Sequence, residues 1–182
     1  AKDKQLSALE RHSINFIDHA PFMTLSTYAA SGALDCSPRG GLPGFVKVVN
    51  ENCIIIPDSK GNNRLDSLVN IIETKQVGCL FLIPGVDETL RINGRGRIST
   101  SAAHLKLFSH HKNLPKTCIE IRIKEVFLHC AKALMRSKLW STDAKMERSK
   151  FPTIASMLND QLCLTEPTES QATMVARYQQ DL

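Results

Sequence analysis

Through the middle of the chain, apolar and polar positions alternate in short runs separated by turn residues. Phe22 to Tyr28 alternates as a strand. Ala30-Ser31-Gly32 has turn chemistry and Ala33 to Ser37 returns, so 22–37 reads as a hairpin. Phe45 to Val49 and Cys53 to Pro57 flank a second turn at Asn50-Glu51-Asn52. Val77 to Ile83 is almost wholly apolar, the pattern of a strand buried on both faces. From Thr89 to Thr100, Leu90, Ile92, Gly94, Gly96 and Ile98 alternate with Arg91, Asn93, Arg95 and Arg97, predicting a strand with one apolar and one basic face. Thr117 to Leu128 alternates through Ile119, Ile121 and Ile123. A helical period appears over 5–18, ended by Ala20-Pro21, over Leu65 to Ile72, and over Ala102 to His110. Residues 141–165 are weakly patterned, and 166–182 reads as a short peripheral helix.

Six or seven strands joined by hairpin-length links predict a small antiparallel barrel with peripheral helices, a mainly β, α+β fold, rather than a doubly wound sheet. No dinucleotide-binding or P-loop glycine motif interrupts this pattern. At 182 residues the chain accommodates one domain over 1–140 with a C-terminal extension over 141–182, expected to be helical and to pack on that domain or on a dimer partner. Ordinary globular proportions of hydrophobic (42%) and charged (23%) residues exclude a disordered chain. The longest uncharged apolar run is too short to span a bilayer, and no apolar core follows the polar first residues. Six cysteines lack CxxC spacing and three sit in strand-like apolar runs. They read as free thiols in a reducing compartment, with no metal site and a cytoplasmic location.

Charge changes the picture only locally. The net charge is +5, and residues 132–150 hold six bases against two acids. A paucity of aromatics (5%) argues against base stacking and hence against nucleic acid.

Three stretches carry candidate chemistry. In IIIPDSKGNNRLDSLVNII (54–72), a strand ends at Pro57 and a helix starts near Arg64, with Asn63 as N-cap and Asp66 as its capping-box partner. A helix start of this kind binds anions, Gly61 allows close backbone approach and Arg64 can clamp a phosphate. The plainer reading is a capped surface helix. In DCSPRGGLPGF (35–45), Arg39 sits in a Pro- and Gly-rich loop after a strand, able to present its guanidinium to a planar or anionic ligand, or simply part of a rigid loop. In HCAKALMRSKLW (129–140), Lys132 and Arg136 share a helix face near the only Trp, Trp140. This grouping suits a flat anionic ligand, or else a packed Trp beside a solvated basic face. No nucleophile–base pair stands out from spacing, so the catalytic residues are unassigned.

Together these stretches resemble the FMN-binding split-barrel superfamily of pyridoxamine 5′-phosphate oxidase-like proteins, over about Asn15 to Trp140. The segments that carry the resemblance are FIDHAPFMTLSTYAASGALDCSPRG, PGFVKVVNENCIIIPDSKGNNRLDSLVNI, FLIPGVDETLRINGRGRI and HCAKALMRSKLW. They are most similar to a bacterial subgroup sharing PGF, GNNR and HCAKAxxRSxLW patterns. The resemblance implies a six-stranded split barrel and a homodimer with FMN at the subunit interface. It also implies a phosphate site at Gly61, Asn62, Asn63 and Arg64, and flavin contacts from Ser37, Pro38 and Arg39. Pro57 and Asp58 would lie near the flavin or ribityl chain, and Lys132, Arg136 and Trp140 would arrive from the partner.

The chain departs from true pyridoxamine phosphate oxidases. It has no Arg-x-His, Gly-Asn-Asn-Arg replaces Gly-Ser-Arg-Lys, and Pro43 to Phe45 is an addition. These departures argue against vitamin B6 oxidation. The resulting expectation is an FMN-dependent oxidoreductase of unassigned substrate. The alternatives are a non-catalytic flavin carrier, or a haem or deazaflavin binder.

Overall fold

The structure, a computed structural model, describes residues 4–59 and 64–180. The chain divides into two compact units, Ala1–Trp140 and Ser141–Leu182.

The first unit begins with helix α1 (Arg11–His19), followed by strands β1 (Phe22–Tyr28), β2 (Leu34–Gly40), β3 (Lys47–Asn50) and β4 (Cys53–Pro57). Helix α2 (Asp66–Thr74), strands β5 (Gln76–Leu82) and β6 (Thr89–Ser99), helix α3 (Ala102–Lys106), strand β7 (Cys118–His129) and helix α4 (Lys132–Ser137) complete it. The strands form one antiparallel sheet in the order β2-β1-β5-β6-β7-β4-β3. Met23 and Leu25 of β1 share a core cluster with Ile54 and Ile56 of β4, although three strands separate them in the sheet. The sheet must therefore curl around one core, which is the barrel that the alternation predicts. Its seven strands exceed by one the count implied by the resemblance; β3 is a four-residue edge strand pairing only with β4.

Burial follows the pleat. On β6, Leu90, Ile92, Gly94 and Gly96 are buried while Arg95 and Arg97 are exposed, as the alternating pattern predicts. Gly96 lies against Val77 and Ile71, so α2 can close over the inner face only because β6 has no side chain there. A second, smaller cluster joins Ile55, Cys118 and Phe108, with Leu105 of α3 against it.

Four sequence expectations need correction. The N-terminal helix starts at Arg11, not at residue 5, because Leu6 is extended and bridges Val126, and the Leu9 amide bonds the Glu51 carbonyl. Glu10 caps α1, accepting from the His12 and Ser13 amides, and these bonds hold its carboxyl below the usual range. The strand expected over Ala33 to Ser37 runs on to Gly40, so Pro38 and Arg39 belong to β2 rather than to a loop. Pro38 is tolerated because β2 is an edge strand. β5 is not buried on both faces: Val77, Cys79 and Phe81 are buried, whereas Leu80 and Leu82 are only half-buried on the outer face. Finally, regular helix after Ser101 stops at Lys106, where turns carry Phe108 down onto Ile55.

The second unit contains α5 (Ile154–Leu162) and α6 (Gln171–Gln179), each capped by a hydroxyl, Thr153 and Ser170. Arg148 donates to the Phe151 and Pro152 carbonyls and to Gln171, and Arg177 pairs with Glu169. No helix among the described residues is long and apolar enough to cross a membrane.

A Cβ at Gly94 would collide with the Arg122 carbonyl in the next strand. Gly94→Ala is expected to cost roughly 1–3 kcal/mol, the usual range for overpacking, and to lower Tm by several degrees in a thermal melt. An unchanged Tm would mean that the β6–β7 bulge can move aside.

Candidate functional site

The pleat of β2 turns Asp35, Ser37 and Arg39 inward beneath the first turns of α2. There Ser67 is almost fully buried and its hydroxyl is shared by three neighbours. It donates to Asp35 Oδ2 at 2.5 Å, lies 3.0 Å from the Ser37 hydroxyl and accepts from Arg39 Nη2 at 3.1 Å. Asn70, one turn on, donates to Thr27 Oγ1 at 3.0 Å, and Thr27 lies within 3.3 Å of Asp35 Oδ2. Each buried polar group is thus answered by another. Behind the cluster, burial pushes the Cys79 thiol up to about 12 against the opposing pull of Arg39, leaving it an inert core group.

The helix start differs from the sequence expectation. α2 begins at Asp66 with Leu65 at its N-cap position and no side-chain cap. Asp66 is therefore a first-turn acid rather than a capping-box partner. It pairs with Arg64, whose Nη2 and Nε lie 2.8 and 3.0 Å from Asp66 Oδ2. Gly61, Asn62 and Asn63 lie outside the described residues.

Of the anticipated site residues, Ser37 and Arg39 meet Ser67 directly, and Arg64 stands at the same helix start. Pro38 points to the opposite, exposed face of β2. Pro57 is buried opposite Cys118; the Asp58 amide donates to the Thr117 carbonyl, and the Thr117 hydroxyl donates to the Asp58 carboxylate. Lys132 and Arg136 lie exposed on α4 and make no hydrogen bond or ion pair to the described residues. Trp140 donates its indole N–H to the Val86 carbonyl, 2.9 Å away in the β5–β6 turn. Sequence reading did not single out Asp35, Thr27, Ser67 and Asn70 as a cluster. The available signal was Ser67 and Asn70 at i, i+3 on a helix that otherwise buries Ile71.

A second polar cluster imitates a catalytic triad without the necessary geometry. Ser99 Oγ lies 2.8 Å from His104 Nδ1, and Glu120 Oε2 lies 3.8 Å from that same nitrogen. Ser and Glu address one ring nitrogen, so no proton relay runs through the imidazole. Glu120 is buried and pairs with Arg97 and Arg122, which makes the cluster a fastening between β6 and β7.

The curled sheet with a polar cradle at the start of α2 defines a split-barrel class, and sequence comparison is specific about its family. The pyridoxamine 5′-phosphate oxidase family model matches residues 9–130, and the chain belongs to that family. Group A Streptococcus HupZ is similar in fold, with 15% identity, 66% of this chain and 93% of that chain covered, and a TM-score of 0.55. A conserved hypothetical protein from Mycobacterium tuberculosis is similar at 12% identity, over 71% and 89% of the two chains, with a TM-score of 0.50. At these identities the likeness is one of fold alone. No curated protein matches the sequence significantly.

Ser67→Ala would leave the half-buried Asp35 carboxylate short of its nearest donor. The expected cost is about 1–3 kcal/mol, measurable as a lower midpoint in chemical denaturation. An unchanged midpoint would show that the cluster is not what seats α2.

Proposed function

We propose that this chain binds FMN and works as a flavin-dependent oxidoreductase. The observation that carries the reading is the convergence of Ser37, Ser67, Arg39 and Arg64 on the first turn of α2. The Ser37 hydroxyl, two guanidinium groups and the positive end of a helix form the donor set that a phosphate monoester needs, with Ser67 holding Arg39 in place. The residues present fit the group, with one condition. Arg64 is engaged by Asp66 in the free protein. An exposed ion pair of this kind contributes roughly 0–1 kcal/mol, whereas a charge-assisted bond to phosphate is worth about 1.5–3. Phosphate therefore wins the competition for Arg64.

Bound FMN would supply the redox chemistry, accepting and passing on electrons through its ring. The protein's part is to hold the phosphate and shape the cavity around the ring. The carboxylate within the cradle, Asp35, is taken up by hydrogen bonds to Ser67 and Thr27, so the cradle offers no free base.

The same reading includes a homodimer in which α4 of one copy completes the site of the other. Its support is the surface of α4 itself: Lys132 and Arg136 stand without partners among the described residues, beside exposed Met135 and Leu139. On α2, Leu65, Val69 and Ile72 are likewise exposed next to the cradle. A cytoplasmic setting suits the chain's free thiols.

The decisive measurement is an absorbance spectrum of purified protein after adding FMN and removing the excess, with the mass in solution. Retained flavin bands at dimer mass support the reading, and turnover with a reductant separates an enzyme from a carrier. A Soret band or a deazaflavin spectrum would replace FMN with another ligand, and a protein that retains nothing would overturn the assignment. Arg64→Ala is expected to weaken FMN binding roughly ten- to a hundredfold. Asp66→Asn, which removes the carboxylate that competes for Arg64, is expected to tighten it several-fold. Titration by flavin fluorescence reads both.

A further inference from the structure

On the face of β6 turned away from α2, the two long strands set charges of one sign against each other. Register pairs Arg95 of β6 with Arg122 of β7, and Arg97 with Glu120. All three arginines are exposed. Like charges directly opposite on neighbouring strands destabilise the pairing. A bulge adds a fourth cation. Gly94 faces Ile123 and Asn93 faces Glu125, so Lys124 is the extra residue of β7. Ile123 and Val126 on either side are buried, which leaves both Lys124 and Glu125 on the outer side.

The carboxylates of this face are already engaged. Arg97 donates its Nε to Glu120 Oε2 at 2.8 Å and pairs with the same oxygen through Nη2, while Arg122 Nε lies 3.6 Å from Oε1. Glu125 accepts from Asn93 Nδ2 at 2.9 Å. Arg95 and Lys124 make no hydrogen bond or ion pair to the described residues. Glu120 therefore fixes Arg122 through its inner nitrogen and leaves the two terminal nitrogens unengaged. Lys124 also borders a groove of about 430 Å³, whose lining includes Tyr28, Gln76, Gly78 and Asn93. Gly78 keeps its floor open, since a Cβ there would lie 3.3 Å from Asn93 Oδ1. Gln76 is the register partner of Arg95, so groove and cations adjoin.

We propose that Arg95, Arg122 and Lys124 hold the phosphate of a small molecule whose remainder lies in the groove over Gly78. A free guanidinium fork and a second pair of terminal nitrogens match phosphate oxygens two at a time. The anion would also relieve the repulsion between the opposed arginines, which nothing else among the described residues does. The groove favours a small ligand over a macromolecular surface, because a concavity of this size takes a ring-sized group and needs few polar contacts, here Gln76 and Asn93. The site goes beyond the proposed flavin cradle, from which the sheet separates it.

Isothermal titration calorimetry at low ionic strength tests this, with adenosine monophosphate and inorganic phosphate as probes. The nucleotide is expected to bind the wild type and Arg64→Ala, and to bind Arg95→Gln or Arg122→Gln roughly tenfold or more weakly. Binding that Arg64→Ala abolishes and Arg95→Gln leaves unchanged belongs to the cradle and overturns the site. So does a wild-type protein that binds neither probe, or an equal loss in Lys145→Gln, which would show diffuse charge alone. A nucleotide no tighter than inorganic phosphate overturns the role of the groove. FMN affinity should be unchanged in Arg95→Gln; its loss would make this face the flavin's own and overturn a separate site. Stability gives a readout that does not depend on the choice of probe. Because Arg95→Gln removes a repulsion, its Tm without ligand should equal or exceed that of the wild type. A lower Tm would mean that Arg95 already has a partner, and the proposal falls.

Discussion

Helix α2 lies across the inner face of the sheet with Ile71 against Gly96 and Val77, and the cradle depends on that contact. Any side chain at Gly96 would lift the helix. The hydrogen bonds that line α2 up with β1 and β2 are made from this seat: Ser67 to Asp35, Asn70 to Thr27, and Thr74 to the Tyr28 carbonyl. Glu73 accepts from the Ala30 amide in the β1–β2 turn. The polar contacts have short reach and are worth little unless the apolar contact first brings the elements together. Packing therefore sets the position, and hydrogen bonding sets the rotation that aims Ser67 at Arg39.

The two buried polar clusters solve the same problem differently. At the start of α2, neutral hydroxyls surround one carboxylate, with Arg39 on Ser67 and Arg64 on Asp66 at the edge. Around Glu120, the charge is matched by Arg97 and Arg122, and burial is tolerated because the ion pair is closed. The open cluster suits a ligand and the closed one suits a structural joint. That difference, rather than the identity of the residues, is why only the first is read as the site of the proposed function.

Much of this was visible in the chain itself. Alternation along Thr89 to Thr100 and Thr117 to Leu128 determined both long strands and which residues face the core, because a strand with one buried face must repeat every two residues. The glycines of β6 could be seen in sequence, but not the helix that needs their absence of a side chain. Arg39 and Arg64 were legible from their local setting as candidates for holding an anion, the role the proposed function gives them. The expected cap, Asn63, lies outside the described residues; Leu65 stands at the N-cap position, and Asp66, which has capping-box spacing, pairs with Arg64 instead.

Local pattern misled wherever a distant partner decided the outcome. Leu6 and Leu9 have helical spacing, yet the chain there is extended because Val126 and Glu51 offer backbone partners. The apolar run of β5 does not reveal that one of its faces stays open, since exposure depends on which elements arrive to cover it. Sequence by itself determined the strands, their inward faces and the family, all of which follow from near-neighbour periodicity and residue type. Tertiary structure decided that Ser67 joins Asp35 and Arg39 and that the Arg91 Nε is buried without an acceptor among the described residues. Those facts rest on contacts between residues far apart in the chain, which periodicity does not encode.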